Sequence, residues 1–303
     1  MSSATMIKAK IAKNDEFYTP FSYIDSELPR HDALLAGKSI LCPCDHPLYS
    51  EFCHWFIVNF NRLHLKCLVA RGRMLGESME AVIREVPDGC QTVSEACDAS
   101  NRNTIRSISK CSYDDERCAD LIDRGFVVVT NPPFSTERTW LSFLYSHGAE
   151  CLLVASVMII SYKDVWKLAK PGWIREIYKK TKTAAVFTRP DGSTAKLGLV
   201  TWIGTDHAMF VPPALELHKR VDNDTIWVKS PTTGVYCRSY RDIPCDYAGD
   251  IYVPVTSLAK LNTDQFEIIG TDNEHYSNGT FLANGKKSFR RFIIRVRHPA
   301  KRG

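Results

Sequence analysis

The sequence predicts an α/β fold, a mostly parallel sheet with helices on both faces, followed by a smaller and irregular α+β C-terminal region. Three observations lead there. Short, nearly continuous apolar runs alternate with helical patterns through the first half, as expected of strands buried on both faces. The 303 residues are 44% hydrophobic and 11% aromatic, enough for a sizeable core near the upper size of one domain. Beyond about Thr205 the texture changes to segments rich in Pro, Asp, Tyr and Gly. The expected division is a first domain over residues 1–205 and a second region over 206–303.

Taken in order, a helical pattern covers residues 23–35 and an apolar run at 39–42 reads as the first strand. Phe52, Trp55, Phe56 and Phe60 fall at helical spacing within 49–61. A strand pattern follows at 65–69. Residues 71–110 are polar and weakly periodic, which suits an antiparallel insertion. The alternation then resumes: helix at 114–122, strand at 126–129, helix at 137–146, strand at 151–155. In the later region, short strands are expected at 225–228 and 266–269. No internal repeat is visible.

The net charge of +5 is a property of the tail. Eight basic residues and no acidic one lie from Lys286 onward, so the remainder is mildly acidic. A solvated basic terminus and a phosphate-contacting patch explain this equally well on composition alone. Over 291–297 the alternation puts Arg291, Arg295 and Arg297 on one strand face and Phe292, Ile294 and Val296 on the other, so a packed element is expected to display the arginines. With no apolar run of membrane-spanning length and no signal-peptide pattern, an intracellular chain is expected, with no membrane partner. Its eleven scattered cysteines are then expected as free thiols. Only Cys42-Pro43-Cys44-Asp45-His46 looks like a metal cluster. Its thiols are one residue apart with no second pair, so no metal is expected.

The most informative segment is Val127-Val128-Val129-Thr130-Asn131-Pro132-Pro133-Phe134-Ser135. A buried strand ends in a rigid turn carrying a polar side chain, two prolines and an aromatic, at the sheet edge where open α/β folds bind ligands. Asn and Pro also favour such a turn for local reasons. Chemically, the turn suits a planar amine or amide, whose nitrogen lone pair is delocalised and poorly nucleophilic. If the Asn131 side-chain oxygen and the Pro132 carbonyl each accept one N–H, the nitrogen is drawn toward tetrahedral geometry and its lone pair localises. Pro132 and Pro133 stiffen the backbone. Phe134 would stack on an extruded base. Two further segments stand out: Asn14-Asp15-Glu16-Phe17-Tyr18-Thr19-Pro20 ahead of the first helix, and Cys42-Pro43-Cys44-Asp45-His46-Pro47 after the first strand. There an acidic residue could face a cationic methyl donor, although no glycine-rich loop is present.

In combination these segments resemble the EcoRI-type adenine-specific DNA methyltransferase family. The resemblance rests on Lys13 to Pro20, Leu41 to Pro47 and Val128 to Ser135. It extends to Asp242-Ile243-Pro244-Cys245-Asp246-Tyr247, Val253-Pro254-Val255-Thr256 and Asp264-Gln265-Phe266-Glu267-Ile268-Ile269-Gly270. It implies a Rossmann-like sheet, S-adenosylmethionine as methyl donor, and transfer to the exocyclic N6 amine of a flipped-out adenine in double-stranded DNA, as in restriction-modification. Asn131, Pro132, Pro133 and Phe134 are then expected at the target base, and Tyr18, Thr19, Pro20, Cys44 and Asp45 around the donor. Residues 1–205 become the catalytic domain and 206–303 the target-recognition region, with Lys286, Lys287, Arg291, Arg295 and Arg297 expected against DNA. Where the family carries an acidic residue and an aromatic before the helix preceding the catalytic loop, this chain has Ser112 and Tyr113, which moves the acidic contact to Asp114. His46 also stands where an acidic residue is the pattern. A monomer is expected, because each strand of a site can be methylated separately. The alternatives are a methyltransferase acting on RNA adenine or protein glutamine, and a non-catalytic nucleic-acid-binding relative.

Overall fold

The computed structural model describes residues 18–74, 76–170, 172–177, 185–188, 193–197, 200–205, 212–230, 232–272, 281–282 and 285–300. The chain divides into two compact units. One comprises Met1–Ser156 and Thr181–Met209, the other Val157–Lys180 and Phe210–Gly303. The second unit thus starts at Val157, inside the 1–205 expected as one domain, and resumes at Phe210.

The first unit is built on a sheet in which seven strands run in the order β4 (Thr104–Ser107), β3 (Glu77–Ile83), β2 (Cys67–Met74), β1 (Ser39–Cys42), β5 (Val127–Thr130), β6 (Cys151–Ser156) and β10 (Val200–Gly204), while β8 (Ala185–Thr188) and β9 (Thr194–Leu197) pair antiparallel with each other. Its centre is parallel. β1 (Ser39–Cys42) lies between β2 (Cys67–Met74) and β5 (Val127–Thr130), with Leu41 opposite Val69 and Val128. β5 pairs in parallel with β6 (Cys151–Ser156), and β10 (Val200–Gly204) closes antiparallel on β6. Every residue of β5 and β6 is buried, which accounts for their unbroken apolar runs.

The flanking helices follow their capping and spacing. Helix α3 (Glu51–Asn59) starts at Ser50, whose hydroxyl accepts from the Phe52 N–H, and buries Phe52, Trp55 and Phe56. Helix α5 (Glu116–Asp123) is capped by Asp115 and buries Cys118, Leu121 and Ile122, an i, i+3, i+4 stripe. Helix α6 (Glu137–Ser146) buries Trp140, Leu141 and Leu144. The single helix expected over 23–35 is instead three short pieces: α1 (Phe21–Asp25), a 3-10 turn (Leu28–His31) and α2 (Asp32–Leu35). Pro29 has no N–H to continue an α-helical ladder, so the apolar spacing survives while the hydrogen bonding breaks.

The weakly periodic stretch after Arg71 is the antiparallel part of the same sheet. β2 continues to Met74, turns through Gly76 at φ +87°, and returns as β3 (Glu77–Ile83), against which β4 (Thr104–Ser107) pairs. Helix α4 (Val93–Ala99), with a Thr92/Glu95 capping box, connects β3 to β4. Its polarity hid it: Arg71 and Glu80 are both buried, with Arg71 Nε 2.9 Å from Glu80.

The second unit contains the short strand β7 (Arg175–Glu176) and a six-stranded sheet in the order β14 (Phe266–Thr271), β16 (Arg291–Val296), β13 (Asp250–Pro254), β12 (Gly234–Tyr236), β11 (Trp227–Ser230) and β15 (Phe281–Leu282). β16 (Arg291–Val296) runs antiparallel between β14 (Phe266–Thr271) and β13 (Asp250–Pro254). Tyr252, Phe266 and Phe292 are fully buried there, and Trp166 of α7 (Lys163–Ala169) packs on Phe292 with ring centroids 5.3 Å apart. All eleven cysteines are free thiols. No helix among the described residues is long and apolar enough to cross a membrane.

Candidate active site

A cavity in the first unit forms at the carboxyl ends of β1, β2 and β5. Its wall takes Pro43, Cys44, Asp45 and His46 from the loop after β1, Gly72 and Arg73 from β2, and Asn131, Pro132 and Pro133 from the turn after β5. Tyr18 and Thr19 ahead of α1, Ser50 and Glu51 at the start of α3, and Cys111 and Tyr113 ahead of α5 complete it.

The loop after β1 has no glycine, yet the neighbouring strand comes within van der Waals reach of it. A Cβ on Gly72 would stand 2.3 Å from the His46 nitrogen and 2.5 Å from the Asp45 carbonyl carbon. The bare backbone of Gly72 is what lets β2 pack directly against this loop. The Asp45 N–H donates to the Arg71 carbonyl at 2.9 Å and fixes the approach.

Asp45 is the central charged group of this wall. It is 6% exposed; Ser50 donates to its Oδ1 at 2.6 Å and Thr130 donates to its Oδ2. Burial pushes its carboxyl up to about 6, against the pull of those two hydroxyls. The nearby thiols of Cys42, Cys44 and Cys53 are pushed well up, by burial first and by Asp45 second. His46 is buried and stacks on Tyr49 with ring centroids 4.9 Å apart. Burial lowers its pKa, with Glu77 opposing.

Arg71 braces the segment that carries Cys111 and Tyr113. Its two terminal nitrogens donate to Asp115 at 2.6 and 2.8 Å. Burial alone would raise Asp115, but these bonds and the Cys118 N–H carry it down to about 2. Tyr113 meets Trp140 edge-on at 5.9 Å.

Of the residues expected around a donor, Tyr18, Thr19, Cys44 and Asp45 line this cavity. Pro20 lies just outside the wall, its carbonyl accepting from the Tyr23 and Ile24 N–H groups that begin α1. Lys13 to Phe17 lie outside the described residues. Asp114 requires a correction: it is exposed and takes the Ser112 hydroxyl, while Tyr113 and Cys111 form the wall. The reason is Asp115, which Arg71 and the start of α5 draw inward, leaving its neighbour facing solvent. The sequence reading missed Gly72, Arg73, Ser50 and Thr130 as members of this region. A glycine inside a strand pattern was the available signal for the first.

Of the turn after β5, Asn131, Pro132 and Pro133 line the cavity, and Thr136 closes the turn by donating to the Pro133 carbonyl through N (3.0 Å) and Oγ1 (3.1 Å). Phe134 is 5% exposed and is not part of the wall.

In the second unit, Lys286, Lys287, Arg295 and Arg297 are exposed. Arg295 donates to Asp250 at 2.8 Å, and Arg297 to the Thr263 carbonyl at 2.9 Å. Arg291 is not displayed with them. It is 6% exposed, donates to the Cys237 carbonyl at 2.8 Å, to Ser288 at 3.0 Å and to the Tyr236 hydroxyl, and lies over the Tyr236 ring. Both faces of β16 are covered at this end, so strand alternation does not decide exposure there.

Two buried polar atoms belong to residues of the cavity wall, Thr19 Oγ1 and His46 Nε2, and neither has a hydrogen-bond partner among the described residues. Such atoms beside the Asp45 carboxylate fit a polar, cationic cofactor.

No solved structure matches the chain. It is 29% identical to the type II methyltransferase M.EcoRI of Escherichia coli over 314 residues, covering 95% of each chain. It is 28% identical to the type II methyltransferase M.MpnI of Mycoplasma pneumoniae over 86% of this chain and 84% of that one. It is 23% identical to M.MgeORF184P of Mycoplasma genitalium over 95% and 97%. The family described as adenine-specific methyltransferase EcoRI matches residues 5–297, nearly the whole chain. The chain belongs to the EcoRI adenine-specific methyltransferase family.

Proposed function

We propose that this protein is a site-specific DNA methyltransferase that transfers a methyl group from S-adenosylmethionine to the N6 amine of a flipped-out adenine in double-stranded DNA. The observation that carries this reading is that Asp45 and the Asn131-Pro132-Pro133 turn belong to the wall of one cavity. S-adenosylmethionine, when bound, supplies an electrophilic methyl group on a cationic sulfonium. Asp45 offers the negative charge for that cation, and Tyr18, Thr19 and Cys44 line the same space. Asn131 Oδ1 and the Pro132 carbonyl accept the two amine hydrogens of the adenine, which localises the nitrogen lone pair toward the methyl carbon. With the donor held there, it would supply the methyl group to that nitrogen and leave as a neutral thioether, and the methylated amine would give up its extra proton to solvent. Phe134 stacks on the extruded base once its ring is uncovered.

In this reading the first unit is catalytic and the second recognises the target. Lys286, Lys287, Arg295 and Arg297 contact phosphates, and a monomer treats each strand in turn. The test is transfer of labelled methyl from S-adenosylmethionine to duplex DNA by the purified chain, with the modified position mapped by single-molecule sequencing. Label appearing in RNA or protein but not in DNA overturns the substrate, and a chain that binds no donor overturns the enzyme.

A further inference from the structure

Thr130 has no part in the chemistry above, yet it joins the two halves of the site. Its hydroxyl donates to Asp45 Oδ2 from a side chain with no exposed surface, while Ser50 holds Oδ1 at 2.6 Å and is itself held by the Phe52 N–H at 3.1 Å. A carboxylate has no donor of its own, so Asp45 is oriented entirely from outside. One of its oxygens is set by the start of α3, the other by the last residue of β5. The next residue along the chain is Asn131.

The strand preceding the turn reads Val127-Val128-Val129-Thr130. A fourth valine would fill the same volume with the same β-branched shape. What threonine adds is one hydroxyl, and a buried hydroxyl is costly unless a partner takes its hydrogen bond. Here the partner is Asp45.

We propose that Thr130 is a positioning residue: its hydroxyl holds the Asp45 carboxylate toward the cationic part of the methyl donor and ties it to the strand end that carries Asn131. This rests on the proposed function. The ionisable groups around Asp45 do not replace that hydroxyl. Cys42, Cys44 and Cys53 are thiols pushed well up, and the His46 ring is held below its usual value by burial. Glu51, Arg73, Cys111 and Tyr113 share the cavity wall without a hydrogen bond to the carboxylate. The two hydroxyls are what favour the ionised form against burial.

A bond to the charged form lowers a carboxyl pKa, so losing it raises that pKa. Donor binding that needs the carboxylate then fails at a higher pH. Isothermal titration of the full chain with S-adenosylmethionine between pH 5 and 8 reads this directly. Thr130→Val is expected to weaken binding by about tenfold near pH 6, the size of one hydrogen bond to a charged group, and to move the acid limb of affinity to higher pH. Thr130→Ser is expected to restore both. Ser50→Ala, which removes the other hydroxyl without touching β5, is expected to move the limb the same way and covers the case of a Thr130→Val chain that does not fold. Wild-type affinity in Thr130→Val and Ser50→Ala, or a uniform loss at every pH with the limb unmoved, overturns the inference, while donor binding by the wild type leaves the proposed function standing. Absence of donor binding by the wild type overturns that function and this inference with it.

Discussion

Gly72 on β2 lies against the backbone of His46, so closely that a Cβ would stand 2.3 Å from the His46 nitrogen. The obstructing atoms are main chain and cannot rotate away. Gly72→Ala is therefore expected to push the loop after β1 off the sheet, destabilising the chain by about 1–3 kcal/mol, as overpacking does elsewhere, and weakening donor binding. Thermal denaturation and titration with S-adenosylmethionine measure the two effects. An alanine variant with unchanged donor affinity would show that this approach does not set the donor site.

The pairing of Arg71 with Asp115 gives an acid-sensitive brace. With Asp115 held at about 2, below its ordinary 3.8, its contribution is full above about pH 4 and is lost as pH falls toward 2. The shift corresponds to about 2 kcal/mol. Asp115→Asn should lower stability at pH 7 and flatten the pH dependence of urea denaturation between about pH 4 and 2. If wild type and variant lose stability in parallel over that window, the brace is not where the acid sensitivity lies.

Asn131→Ala is expected to abolish methyl transfer while leaving donor affinity within about twofold of wild type, since in the proposed function Asp45 and not Asn131 meets the cation. Equal loss of binding and transfer would place Asn131 in the donor site instead. Phe134→Ala behaves differently, because its ring is buried. It should cost about 3–5 kcal/mol of stability in addition to any effect on the extruded base, so its transfer rate must be compared at a temperature where the variant is folded.

The arginines of β16 separate by burial. Arg291→Ala should lower the melting temperature, because Ser288, Cys237 and Tyr236 lose their common partner, and should leave the salt dependence of DNA binding unchanged. Neutralising Arg295 and Arg297 together should flatten that dependence by up to about two phosphate equivalents, with little change in melting temperature. A flattened slope in the Arg291 variant would contradict its role as an internal brace.

The parallel core was legible because its strands are buried on both faces and announce themselves as apolar runs. Val127 to Val129 and Cys151 to Ala155 need no tertiary information to be read as strands. The antiparallel side was legible only as a polar insertion over 71–110, without its strand positions. Arg71 and Glu80 are strand residues whose charges are neutralised by partners distant in sequence, so local polarity misrepresents their burial. The same limit explains Asp114: adjacent aspartates are equivalent until Arg71 selects Asp115. It explains Arg291 as well, since alternation along β16 assigns faces but not what covers them.

By itself the sequence determined the parallel strands of the first sheet, the Asn131-Pro132-Pro133-Phe134 turn at a strand end, and a resemblance along most of the chain, because these reside in local patterns. Only the tertiary structure decided that Gly72 lets β2 pack against the loop after β1, that Thr130 and Ser50 hold Asp45 between them, and that Arg291 is internal. Each of these depends on which backbone or side chain is brought alongside from elsewhere in the chain. The free energy of a buried hydrogen bond or a close approach belongs to that pair of neighbours, and no run of residues encodes it alone.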